Sequence, residues 1–176
     1  MNHPVSRETL NIRHVTDRGL RISGRMDMGS LYRQLLKANL AGVTDVVLAD
    51  DNVMLVLAPG TPPPKNLAEV LRRMALEQEK GPPPQSGPVL TVPVVFDGED
   101  LAEVAARAGL TPGGLIHLLT ATELRVKFMG FQPGFGYLEG LPPVLHLPRR
   151  DTPRIRVPKG SVALGGAYCG IYPSEG

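Results

Sequence analysis

A chain of 176 residues with 42% apolar and 20% charged residues has the composition of a globular protein, long enough to bury one large core or two small ones. A formal charge of +2 is too small for wholesale polyanion binding, and the single cysteine excludes an internal disulfide or a thiolate metal cluster. No apolar run approaches the ~18 residues that span a bilayer, so neither a nucleic acid nor a membrane is an expected partner.

The opening "MNHPVSRETLNIRHV" has no apolar leader, which with a lone thiol points to a reducing, cytoplasmic setting. "LNIRHV" and "GLRIS" alternate apolar and polar residues, as half-buried strands do. In "MGSLYRQLLKANLAG", Leu31, Leu35 and Leu36 recur at helical spacing, with the helix expected to end near Gly42. "TDVVLA" and "VMLVLA" flank Asp50, Asp51 and Asn52 and predict a hairpin. A second helix follows in "NLAEVLRRMALEQEK", with Asn66 and Glu69 as a capping box and Leu67, Val70, Leu71 and Met74 as its apolar stripe. This order predicts an α+β chain that opens with a small sandwich domain over residues 1–81, closed off by the proline cluster "GPPPQSGP".

The second domain, 82–176, is expected to begin with the strand "VLTVPVVF" and a short helix in "DLAEVAARAG", capped by Asp100 with Glu103 and ended at Gly109. Thr111 caps a further helix with Pro112 at its first position. His117 falls inside that apolar run and is expected to be half-buried. From "LRVKFMGF" onward, short strands between Pro and Gly turns predict a compact barrel or sandwich.

Arginines concentrate in "LPRRDTPRIRVPKGS", where Arg149, Arg150, Arg154, Arg156 and Lys159 face the single acid Asp151. An extended "RIRV" would put Arg154 and Arg156 on one wet face and Ile155 and Val157 on the buried one. Guanidinium groups suit bidentate recognition of a carboxylate or phosphate, although neighbouring acids could equally neutralise them. Upstream, Phe135 and Tyr137 stand between glycines that permit sharp turns, either as ligand contacts or as buried plugs. Gly134, Gly136 and Gly140 miss a dinucleotide fingerprint by one position, Ser161 lies outside any nucleophile elbow, and the four histidines lack ligand spacing. Cys169 reads as a small buried residue.

"FMGFQPGFGYLEGLP", "LPRRDTPRIRVPKGSVALGG" and "GIYP" together resemble the signature of the family of KipI and the 5-oxoprolinase B-type subunit, also called allophanate hydrolase subunit 1. The resemblance implies an N-terminal α+β domain followed by a cyclophilin-like β-barrel domain. It implies one part of an ATP-dependent 5-oxoprolinase, which opens 5-oxoproline to glutamate. That part acts with a KipA-like C-type partner and with an A-type partner, and ATP is held by a partner, with no cofactor on this chain alone. Alternatives within the family are inhibition of histidine kinase autophosphorylation and a carboxyltransferase role of the allophanate hydrolase or urea carboxylase type. The substrate-binding candidates are Arg149, Arg150, Arg154, Arg156, Ser161, Tyr137, Phe135 and Tyr172, with no catalytic residue assigned. Leu119 stands where family members commonly carry His, and the expected barrel is incomplete at its C-terminal end, the sequence stopping at Gly176.

Overall fold

The computed structural model describes residues 10–78 and 87–176, and the chain divides into two compact units between Gly87 and Pro88. The first contains β1 (Asn11–His14), β2 (Gly19–Ser23), α1 (Met28–Ala38), β3 (Val43–Leu48), β4 (Asn52–Leu57) and α2 (Leu67–Gln78). This is the strand, strand, helix, strand, strand, helix order that the hydrophobic pattern predicts. The four strands form an antiparallel sheet in the order β1-β2-β4-β3. Alternation along β4 sends Val53, Leu55 and Leu57 inward, where they join Leu20 and Ile22 of β2. Leu31 and Leu35 of α1 and Leu71 of α2 complete that core.

Asp27 starts α1 by accepting from the backbone N–H groups of Gly29 and Ser30. The helix stops earlier than the predicted Gly42, because Asn39 takes a left-handed conformation (φ 43°) that short polar side chains tolerate. Gly42, also at positive φ, instead serves the turn into β3.

The second unit contains α3 (Leu101–Arg107), α4 (Pro112–Ala121), β5 (Arg125–Met129), β6 (Gly136–Glu139), a 3-10 turn (Pro143–Leu145), β7 (Val162–Gly165) and β8 (Tyr168–Ile171). Its antiparallel sheet runs β5-β6-β8-β7 and is open, so among the described residues the chain is a mixed α/β protein with two four-stranded sheets and no closed barrel. Thr111 caps α4 by accepting from Gly114 N, with Pro112 in the first turn as predicted. Gly109, at φ 68°, lets Leu110 N reach back to the Ala105 carbonyl and end α3.

Two predicted strands do not form. Residues 89–96 pair with no strand, and Val89, Leu90 and Val95 are largely exposed. Pro88 and Pro93 have no N–H to give a ladder, which disfavours a strand there. Residues 154–157 also lack strand pairing over "RIR", and Ile155 is fully exposed instead of buried. Pro153 and Pro158 bracket that stretch, and only Val157 makes a backbone pair, exchanging both bonds with Gly176. His117, expected half-buried, is exposed on α4. No helix among the described residues is long and apolar enough to cross a membrane.

Candidate functional site

The register of the second sheet gives its two faces different characters. Val126, Leu138, Cys169 and Leu164 lie opposite one another across the four strands. On that face Leu138, Cys169 and Leu164 pack with Ala105 and Ala108 at α3 and Leu115 of α4. This core is aliphatic. Tyr137 and Gly170 are also paired across β6 and β8, and since side chains alternate along a strand they belong to the other face, with Phe128 across from Tyr137.

Of the four Phe and four Tyr, all except Phe96 and Tyr32 meet in one cluster associated with that face. Phe128 and Tyr137 stack at 4.4 Å between ring centroids, and Tyr168 meets both edge-on. Phe135 joins Tyr137 to Tyr172 and Phe131, also edge-on, the geometry that the ring quadrupole favours. Lys127 sits at a bulge in β5, donates to Tyr168 Oη at 3.0 Å and lies 3.7 Å from a Glu139 carboxylate oxygen. Its ammonium is 5.5 Å from the Tyr168 ring centroid, within cation–π range.

The turn between β5 and β6 shapes one end of this cluster. Gly130 N bonds to the Phe135 carbonyl and Phe135 N to that of Gln132, folding "GFQPGF" tightly. Phe131 is held at φ 68°, unusual for an aromatic residue, and its ring is 67% exposed. Gln132 is tied to Ser174, donating to its carbonyl and accepting from its hydroxyl. Tyr172 N donates to the Ser161 carbonyl, so the C-terminal strand end and the "PKGS" turn share this region.

The arginines distribute over three places. Arg154 donates to both carboxylate oxygens of Asp100 through Nη1 and Nη2, and Nη2 also reaches Glu99 at 3.0 Å. Arg150 Nη1 donates to the same Asp100 at 2.9 Å. The hydrogen bond from Arg154, reinforced by the charges of both arginines, outweighs desolvation and holds the Asp100 carboxyl below the usual carboxylate range. Asp100 and Glu99 in return push the Arg154 guanidinium pKa further up. Arg156 turns to Glu175. Arg149 is exposed and makes no ion pair among the described residues, its stem running over β7 so closely that a Cβ at Gly165 would sit 3.3 Å from its Cγ.

The structure therefore brings Phe135, Tyr137, Tyr172 and the backbone of Ser161 into one neighbourhood, and Arg150 and Arg154 into another. Arg154 and Arg156 do not share the wet face of a strand, because each is drawn to a different acid. Sequence reasoning missed Glu99 and Asp100, which "DGEDL" presents as a helix start, and missed Phe128, Lys127 and Tyr168. A bridge across fifty residues leaves no mark in local spacing. Cys169 is buried as expected, and desolvation pushes its thiol up to about 11, which leaves it protonated near neutrality and unsuited to nucleophilic work. No group of His, Cys, Asp or Glu among the described residues is arranged to hold a metal ion.

Chemically, the arrangement offers cationic donors for an anion beside a turn-rich surface, and separately a set of ring faces and edges on a sheet.

Known proteins resemble this chain in sequence and in fold. The chain is 38% identical over 141 residues to the 5-oxoprolinase B-type subunit of Escherichia coli O157:H7, an alignment covering 77% of the chain and 62% of that protein. It is 48% identical over 87 residues to the 5-oxoprolinase B-type subunit of Haemophilus influenzae, covering 48% and 41% of the respective lengths. The chain thus spans less than two thirds of the curated relatives it matches. The crystal structure of TTHA0988 superposes with a TM-score of 0.71 at 35% identity, covering 90% of this chain and 33% of that one. Kluyveromyces lactis urea amidolyase shares the fold at a TM-score of 0.68 and 14% identity, covering 97% of this chain and 12% of that one. The sequence profile of the carboxyltransferase domain, subdomain C and D, matches residues 4–176, and the chain belongs to that family.

Proposed function

We propose that the chain is the B-type component of an ATP-dependent 5-oxoprolinase, acting with a KipA-like C-type partner and with an A-type partner that holds ATP. The observation that carries this reading is its 38% identity over 141 residues to a 5-oxoprolinase B-type subunit. The sequence contains no phosphate-binding Gly-rich loop of the P-loop kind, in keeping with a nucleotide site on another chain of the enzyme. In the same reading the open second sheet is part of a cyclophilin-like barrel, and the buried single thiol suits a cytoplasmic protein.

Opening a lactam needs activation of a stable amide. Transfer of the ATP γ-phosphoryl group to the lactam oxygen makes the ring carbon electrophilic and releases ADP. Water adds to that carbon, and the ring C–N bond breaks as the nitrogen takes a proton, leaving an acyl phosphate. A second water hydrolyses it to glutamate and phosphate. The substrate carboxylate and the phosphorylated intermediates are anionic throughout, so preset cationic donors are the chain's most useful contribution. Arg149 and Arg150 supply them, Arg154 being engaged by Asp100 and Glu99, with Arg156 and Ser161 further along the same segment; Phe135, Tyr137 and Tyr172 form a separate ring surface.

The test is glutamate formation from 5-oxoproline and ATP by the reconstituted enzyme, with and without this chain. Turnover that needs the chain supports the assignment; equal turnover without it removes the chain from the enzyme.

A further inference from the structure

Asp100 departs from what its position dictates. It stands immediately before α3, where an aspartate is expected to accept from the unpaired N–H groups of the first helical turn, yet its side chain makes no such bond. Its backbone is already helical, at φ −84° and ψ −5°. Its carboxylate instead bridges Arg150 and Arg154, fifty and fifty-four residues further along the chain. Ion pairs of this exposure contribute little to stability, so a forgone helix cap gains the fold little in return. Local rules broken in this way collect at functional positions.

Resting on the reading of the arginine segment as the substrate's anion site, we propose that Asp100 is a positioning residue that sets Arg150 and, through Arg154, the loop that carries Arg149. The segment 149–156 has no helix or strand of its own, and Ile155 within it packs on nothing. Its registry therefore depends on side-chain tethers. Arg154 spends both terminal nitrogens on Asp100 and Glu99, which makes it a strut. Arg150 gives only Nη1 to Asp100, so its Nε and Nη2 stay directed by that bond and available to a carboxylate or an acyl phosphate. The adjacent Arg149 is held over Gly165 by its stem. Immobilising guanidinium groups beforehand removes part of the entropy that a ligand would otherwise have to overcome.

The test uses the reconstituted enzyme with 5-oxoproline and ATP, comparing Asp100→Asn, Asp100→Glu, Arg150→Ala and the Asp100→Asn/Arg150→Ala pair. Asp100→Asn is expected to raise KM for 5-oxoproline about five- to tenfold with kcat within about twofold. Asp100→Glu should recover most of that loss, and the rise in KM of the double variant should be smaller than the product of the two single rises. If Arg150→Ala raises KM and Asp100→Asn does not, the positioning role is wrong while the anion site stands. If Arg149→Ala and Arg150→Ala both leave KM unchanged, the arginine site itself fails and this role with it. Reduced kcat with unchanged KM and no recovery by Glu would make Asp100 merely structural and overturn the proposal.

Discussion

At Gly170 the backbone of β8 runs directly against the Phe135 ring. A Cβ there would overlap Cζ and lie 2.9 Å from Cε1, and neither the ring, buried among other aromatics, nor the strand has room to give. Gly170→Ala is expected to destabilise the protein by about 1–3 kcal/mol through overpacking, measured by denaturant unfolding. Adding Phe135→Leu should recover part of the loss, and an unchanged midpoint in Gly170→Ala would refute the close packing. Asp100 carries a second residue-scale expectation. Its carboxyl is depressed when folded, so its ion pairs contribute stability above the ordinary carboxylate pKa of ~3.9 and lose it as pH falls through the lower folded value. The difference in melting temperature between the parent and Asp100→Asn should therefore be present at pH 6 and vanish towards pH 2; a difference independent of pH would contradict it. The sequence displayed Asp100 plainly but assigned it to a cap. Both uses need the same carboxylate beside the same helix, and only the folded chain brings Arg150 and Arg154 to it.

At the scale of elements, legibility followed the range of the determining interaction. Thr111 with Pro112 announced α4 from adjacent residues, and the structure has that cap. Thr111→Ala is expected to cost about 1 kcal/mol, read from thermal unfolding, with Thr111→Ser nearly neutral; equal losses in both would mean that the hydroxyl bond to Gly114 N contributes nothing. Strand β2 was readable because one face is buried and the other is not, so period two survives in "GLRIS"; β4, apolar at every position from Val53 to Leu57, was readable as an apolar run beside the turn residues Asp50, Asp51 and Asn52. The stretches 89–96 and 154–157 carry β-branched or alternating residues, but Pro93 interrupts the first and Pro153 and Pro158 bracket the second. There the missing N–H donors and, in the second case, pulls from remote acids decided against a ladder. The bulge that displaces Lys127 in β5 had no local sign.

Across the whole molecule, scarcity of aromatic residues was visible in the composition, but their gathering was not. Six rings come from β5, β6, β8, the turn between β5 and β6, and Tyr172 just after β8, and the aliphatic core on the opposite sheet face needs none of them. The signature blocks gave the family because they contain the turn glycines, prolines and rings that this face is built from. They did not show which arginines are already engaged by acids. That distinction changes the chemistry available to each, since Arg154 gives both terminal nitrogens to Asp100 and Glu99, Arg150 gives Nη1 to Asp100, and Arg149 makes no ion pair among the described residues.

The most direct measurement is a titration of this chain into fixed amounts of the A-type and C-type partners proposed for it, following ATP-dependent glutamate formation from 5-oxoproline. The expected rate rises from background and saturates as the chain reaches equivalence with the C-type partner. A rate that is already full before any chain is added, or that stays at background at every ratio, would contradict the assignment.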